Sequence, residues 1–133
     1  MKSENDAGSA GILIVNKDGL VLGVPRRDNP NDYGICGGKR ESNETALECA
    51  VRECFEEANV IVDPEKCFLI YCDKARKSIC ATYLLFNQEV VPGMGDCGMS
   101  KWVTWEQLES GTFGEYNKQL HVCYDKFLCG SVK

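Results

Sequence analysis

Short apolar runs separated by polar turns make up most of the chain, and two segments carry helical spacing instead. Gly11 to Val15 (GILIV) and Leu20 to Val24 are runs of strand length joined by Asn16-Lys17-Asp18-Gly19. Asp-Gly is a strong turn signal, so the pattern predicts an opening hairpin. Pro25 is expected to end the second strand, ahead of a polar loop, DNPNDYG, and a short apolar step, Ile35-Cys36. Gly37-Gly38 then predicts a tight turn with close backbone approach to a ligand. Cys67 to Cys72 (CFLIYC) reads as a central strand, and Ile79 to Phe86 (ICATYLLF) as its antiparallel partner across the charged turn Asp73-Lys74-Ala75-Arg76-Lys77. The glycine-rich stretch NQEVVPGMGDCGMS reads as a long loop, of a length that is often functional. Lys101 to Trp105 (KWVTW) predicts a short strand, and Thr104 with Gln107 makes a capping box for a brief helix.

Leu47, Ala50, Val51, Cys54 and Ala58 recur at the spacing of one helix face. Ser42 and Asn43 are suitable N-cap types before it, and Glu44 suits the positive end of the helix dipole. Leu120, Cys123, Tyr124, Phe127 and Leu128 form a second stripe, predicting a terminal helix packed on a sheet. The element order therefore predicts an α/β domain with a mixed sheet and a helix on each face.

Beside the first stripe, Glu53, Glu56 and Glu57 crowd into one helical turn. Like charges at this spacing destabilise a helix by roughly 0.2–0.5 kcal/mol per pair. Arg52 can pair with Glu56 and Glu48, but one cation does not neutralise three acids. A hard divalent cation would, since Mg²⁺ takes oxygen ligands and is typically shared between carboxylates and substrate phosphates.

The wider stretch carries more. Gly38, five residues, Glu44, seven residues, Arg52-Glu53, one apolar and one free residue, Glu56-Glu57, one free residue, a turn residue and Val60 together resemble the signature box of the Nudix (MutT-like) hydrolases over 23 positions. Six specified residues at fixed spacing arise by chance roughly once in 10⁵ chains of this size, at about 6–7% per residue type. The resemblance implies Mg²⁺ or Mn²⁺ held by Glu53, Glu56 and Glu57 with the Gly38 carbonyl, Arg52 orienting the glutamates, and Glu44 as a structural or outer acid. It also implies the α/β/α sandwich of the Nudix fold, an expectation that rests outside the box on element order. Asn59 stands where the box has Gly; Asn is the next choice for a left-handed position after a helix. Members of the family often place an acid just before the Trp of the later strand. Here Met99, Ser100 and Lys101 precede Trp102, which leaves Asp96 as the distal general-base candidate beside the box glutamates, Glu53 and Glu57.

Candidate phosphate-binding cations are Arg26 and Arg27, with Lys39 and Arg40 second. Tyr33 is expected to pack rather than stack on a base, and His121 to be a surface or partly packed helix residue. The chain of 133 residues is expected to form one domain with residues 1–10 as a flexible tail. Its net charge of −5 argues against a broad nucleic-acid footprint. No apolar run reaches the length of a membrane span. Nine cysteines without Cys-x-x-Cys spacing, and one His, point to reduced packing thiols rather than zinc. With no signal-peptide core at the N-terminus, a cytoplasmic location is expected.

The reading that follows is metal-dependent hydrolysis of a nucleoside diphosphate linked to another moiety. Small size favours a nucleoside or deoxynucleoside triphosphate, giving a monophosphate and pyrophosphate. The alternatives are ADP-ribose, nucleotide sugars, dinucleoside polyphosphates, RNA 5′ ends, or a non-catalytic nucleotide-binding module. The ADP-ribose type tends to carry a Pro where Ala75 and Arg76 stand, and the dinucleoside polyphosphate type a Tyr near Arg76, Lys77 and Ser78. A small-molecule nucleotide is the expected partner, to a monomer or a homodimer.

Overall fold

Alternation along two neighbouring strands divides the molecule into two cores. The computed structural model describes residues 7–73 and 80–130. Strand β1 (Ser9–Leu13) turns Ala10 and Ile12 to one side and Leu13 to the other; β6 (Cys80–Leu85) does the same with Ala81, Tyr83 and Leu85 against Leu84. This two-residue period is that of a strand buried on both faces. The two strands run parallel, Gly11 opposite Thr82, and form the centre of a four-stranded mixed sheet in the order β4-β1-β6-β5. Strand β4 (Cys36–Lys39) and β5 (Cys67–Asp73) are its antiparallel edges. A second sheet has the order β3-β2-β9, from β2 (Val21–Arg26), β3 (Asn29–Gly34) and β9 (Lys101–Val103). Helix α1 (Ala46–Ala58) packs on β1 and β4; α3 (Gly114–Leu128) lies over β5 and against the short α2 (Trp105–Glu109). The expected mixed sheet between helices is therefore present. Among the described residues no helix is long and apolar enough to cross a membrane.

Several local expectations give way to tertiary demands. The Asn16 turn forms, its side chain accepting from Asp18 and Leu20 N–H groups at 2.9 Å. Yet β1 and β2 part into different sheets, and the segments between them are joined by a Val15–Val21 bridge and by the Leu22 N–H to Ile14 carbonyl and Asn16 N–H to Leu20 carbonyl bonds. Pro25 lies inside β2, beyond the part paired to β9 and where the β2–β3 register shifts, a bulged edge where a missing N–H is tolerated. The polar stretch before Ile35 is strand β3, because its main chain completes that pairing. Gly37-Gly38 is extended strand rather than turn. Thr45, not Ser42 or Asn43, caps α1, in a reciprocal box with Glu48, which removes Glu48 from Arg52. CFLIYC is an edge strand, not a central one. The long loop folds into a small hairpin, β7 (Met94–Gly95) and β8 (Gly98–Met99), tied across its base by Ser100 and Gly93.

Other expectations stand. Asn59 adopts φ 55°, ψ 36°, the left-handed cap expected of it. Thr104 and Gln107 form the second capping box. Tyr33 packs in the core, and His121 is partly packed, stacked on Trp105 with ring centroids 4.1 Å apart. The terminal helix starts earlier than its stripe indicated, so Tyr116, Asn117 and Leu120 are buried while Leu128 is exposed. Within the expected tail of residues 1–10, Ala7 is buried and Ser9 opens β1, while residues 1–6 lie outside the described residues. The substrate-typing positions Ala75 to Ser78, within the expected charged turn, lie outside the described residues.

Candidate active site

Strand β4 and helix α1 meet where glycine removes a side chain. A Cβ on Gly38 would lie 2.5–2.7 Å from the Glu53 carboxylate atoms, so only glycine lets that carboxylate cross the strand. Next to it, the Gly37 N–H donates to Glu57 Oε1 at 2.7 Å.

Arg52 sits at the centre of the acids. Its Nε and Nη2 fork onto both oxygens of Glu44, at 3.0 and 2.8 Å. Its Nη1 donates to Glu53 at 3.1 Å and to Glu56 at 3.2 and 3.3 Å, and Nη2 also reaches the Lys39 carbonyl at 3.1 Å. The guanidinium holds the Glu44 carboxyl down to about 2, while Arg52 is itself held firmly protonated by Glu44. Fork geometry of this kind fixes direction as well as charge.

The neighbouring acids shift the opposite way. Burial pushes Glu57 up to about 7; the Gly37 N–H pulls it down, and the charges of Glu53, Glu56 and Asp96 push it up further. Burial raises Glu53 as well, partly offset by Arg52. Glu56 is more exposed than Glu53 or Glu44.

Asp96 is carried to this cluster by the β7–β8 hairpin. Its N–H donates to the Glu56 carbonyl at 3.0 Å, and Gly93 and Gly95 lie so close to the end of α1 that a Cβ on either would strike its backbone. The hairpin thus docks on the C-terminal turn that bears Glu56 and Glu57.

Among the described residues, no three His, Cys, Asp or Glu side chains converge into a ready-made coordination sphere. Their chemistry nonetheless fits a hard cation. All donors are oxygens, two of the carboxylates are held back from ionising by burial, and Glu56 is exposed enough to turn from Arg52. The Gly38 carbonyl lies at the same place and accepts from the Cys49 thiol at 3.5 Å.

The four candidate cations are treated differently by the fold. Arg26 and Arg27 line a cleft of about 480 Å³ whose walls include Glu57, Gly37, Cys97 and Phe113. Arg26 stacks 5.1 Å over the Phe113 ring. Arg40 is engaged by backbone, through the carbonyls of Ala7 at 2.7 Å and Glu44 at 2.9 Å. Lys39 is exposed on β4.

A second cleft, about 460 Å³, opens on the opposite face of the sheet. Its floor is the row Gly37, Gly11, Thr82, in register across β4, β1 and β6. Ile35, Phe113, Tyr116 and Asn117 wall it. Ile35, Gly37 and Phe113 belong to both clefts. Gly11, Thr82, Phe113 and Tyr116 were not singled out from the sequence. Two signals were present: a glycine in the first apolar run and a hydroxyl in ICATYLLF.

The residue pattern of the NUDIX domain matches residues 6–122. In three dimensions the chain is similar to a MutT from work on the Aliivibrio salmonicida and Vibrio cholerae proteins. There the TM-score is 0.69 at 21% identity, covering 86% of this chain and 92% of that one. It is similar to a C. elegans Ap4A hydrolase in a binary complex at TM-score 0.61 and 21% identity, covering 92% and 98%. It is also similar to a MutT/nudix family protein from Enterococcus faecalis, at TM-score 0.60 and 22% identity, covering 77% of this chain but only 45% of that one. The chain thus spans less than half of that protein's length. At these identities the likenesses establish the fold.

Proposed function

The chain belongs to the NUDIX domain family, and from that premise we propose that it hydrolyses a nucleoside diphosphate linked to another moiety, a nucleoside or deoxynucleoside triphosphate first, to a monophosphate and pyrophosphate. One observation carries the reading: Arg26, Arg27 and Glu57 share the walls of a single cleft. Cations suited to phosphate oxygens thereby share a cleft with the box carboxylate that burial raises most.

Nudix hydrolases generally use divalent metal cations. Here Glu53, Glu56, Glu57 and the Gly38 carbonyl would hold Mg²⁺ or Mn²⁺. Bound there, the ion supplies charge neutralisation for the diphosphate and a lowered pKa for water. The rest is the work of the chain. Arg52 holds Glu53 and Glu56 in place through Nη1, with Glu44 fixing the guanidinium from behind. Arg26 and Arg27 bind the phosphate oxygens; Lys39 is a further cation at the rim, and Arg40 anchors the start of β1. Glu57, near neutrality in its affinity for a proton, takes the proton of the attacking water, with Asp96 beside it as the alternative base. The glycine-floored slot receives the nucleoside, whose flat base lies on the backbone of Gly11 and Gly37 against Phe113.

The test is product analysis after incubation with Mg²⁺ and a panel: normal and oxidised dNTPs, ADP-ribose, nucleotide sugars, a diadenosine polyphosphate and 5′-triphosphate RNA. The Glu57→Gln protein runs beside it. Monophosphate plus pyrophosphate from one or a few dNTPs, absent in the variant, is the expected result. Turnover of another member keeps the chemistry and replaces the substrate. No turnover with Mg²⁺ or Mn²⁺ sinks the enzyme reading in favour of a binding module.

A further inference from the structure

Asp32 is an acid that the proposed chemistry does not use. It sits on β3 and is 9% exposed. Both of its oxygens accept from the Thr112 N–H, at 3.1 and 3.2 Å, and the Thr112 hydroxyl donates to Oδ2. Its other neighbour is Arg26, whose Nε lies 3.7 Å from Oδ2. A Cβ on Gly111 would collide with this carboxylate, so the chain turns tightly around it.

The next residue after this clamp is Phe113. Its ring lies over the Gly34 backbone and under the Arg26 guanidinium, and it forms the wall shared by the glycine-floored slot and the arginine cleft. One buried carboxylate therefore holds the ring's backbone from one side and the cation stacked on that ring from the other. Phe113 is the N-cap residue of α3, its carbonyl accepting from the Asn117 N–H at 2.9 Å, so its main chain is held by the helix start and by the Asp32–Thr112 clamp on the residue before it.

We propose that Asp32 is a positioning residue for nucleoside recognition, holding Phe113 and Arg26 as one wall that sets the width of the slot relative to the phosphate cleft. The proposal rests on the nucleotide reading above. It separates two tasks within one site: the carboxylates and Arg27 deal with phosphate whatever is attached to it, and the Asp32-braced wall, in which Arg26 lines the phosphate cleft and stacks on Phe113, deals with the attached nucleoside.

The test uses ligands that differ only in the nucleoside. The wild-type chain, Asp32→Asn and Thr112→Val are titrated calorimetrically, with Mg²⁺ present, against the α,β-methylene analogues of the four nucleoside diphosphates and against methylenediphosphonate. Asp32→Asn keeps an acceptor for Thr112 and removes the buried one of the two carboxylates beside Arg26, leaving the exposed Asp28 at 3.6 Å. Thr112→Val keeps the N–H and loses only the hydroxyl, so it preserves the test if the first variant folds poorly. We expect nucleotide affinity to fall about tenfold in Asp32→Asn, the scale of a lost bond to a charged group, and less in Thr112→Val. Methylenediphosphonate affinity falls clearly less than nucleotide affinity, because Arg27 keeps its surroundings and Arg26 loses only one of its two carboxylate neighbours. With the substrate found by the panel, KM rises while kcat holds.

Parallel loss of both ligands, or a lower melting temperature with an unchanged affinity ratio, makes Asp32 structural glue and overturns the proposal. A wild-type chain that binds nucleotides no better than methylenediphosphonate overturns the nucleotide reading, and this proposal with it. Discrimination by the wild type that both variants retain overturns this proposal alone.

Discussion

On the α1 face of the central sheet, Glu44, Glu53 and Glu56 gather around a single arginine, with Glu57 beside them on the Gly37 N–H. On the α3 face, a few ångströms through the same strands, the row Gly37-Gly11-Thr82 presents almost no side chain at all. The first region accumulates charge that water would hold better, and burial pushes Glu57 up to about 7. The second makes a cavity by omission, because two of its three floor positions, Gly37 and Gly11, lack a Cβ. The two glycines of β4 serve opposite faces: Gly38 makes room for Glu53, and Gly37 floors the slot while its N–H holds Glu57. The pair thus joins a region built for charge to a region built for shape.

The comparison breaks most sharply at Glu57. Glu57→Gln should cut turnover by about 10²–10⁴-fold, the range of a lost acid–base group. It should leave the melting temperature unchanged or raised near pH 8, since a buried charge disappears. Turnover assays and thermal melts on one preparation check both, and an active variant would move the base to Asp96.

Arg52→Ala attacks the same face from its centre. It leaves Glu44 half-buried without its fork, which should cost about 1.5–3 kcal/mol of stability besides activity. Denaturant unfolding measures it. A loss confined to activity would mean that Glu44 turns out to water.

Phe113→Ala probes the other face. Nucleotide KM should rise roughly tenfold through lost aromatic contact, with the Mg²⁺ dependence of turnover unchanged. An equal shift in both would show that the two faces are not separable.

The acids also set a pH signature with two signs. Glu57 binds its proton more tightly in the folded chain, at about 7, than at its ordinary 4.5. Its contribution to stability is therefore complete below about 4.5 and is lost as pH rises through about 7. Without metal, melting temperature should fall between those values, and added Mg²⁺ should raise it more at pH 8 than at pH 5. Glu44 runs the other way: held at about 2, it contributes above 4.5 and loses that contribution as pH falls towards 2. Melting curves with and without Mg²⁺ test both. A metal effect independent of pH would remove Glu57 from the ligand set.

The smallest effect is expected at Asn59, which already tolerates its left-handed φ of 55°. Asn59→Gly should stabilise by no more than about 1 kcal/mol and leave activity alone.

Chemistry concentrated within one helix turn is legible along the chain. Glu53, Glu56, Glu57 and Arg52 lie within a span where helical period alone makes neighbours, and Asn59 follows from backbone sterics one residue past the end. Capping boxes are local too, although Thr45 took the cap from Ser42 and Asn43 through its pairing with Glu48. Contacts between segments distant in sequence were beyond that reach. Gly37-Gly38 became a strand because β1 needed an antiparallel partner, and the opening hairpin opened because β1 found β6 and β2 found β9. Asp96, Arg26 and Phe113 come from three separate segments, so only the docked β7–β8 hairpin and the turn braced by Asp32 bring them to Glu57. The sequence by itself determined which carboxylates and cations are available; the tertiary structure decided where the glycine-floored slot lies, because a cavity is made by the side chains that neighbouring strands lack.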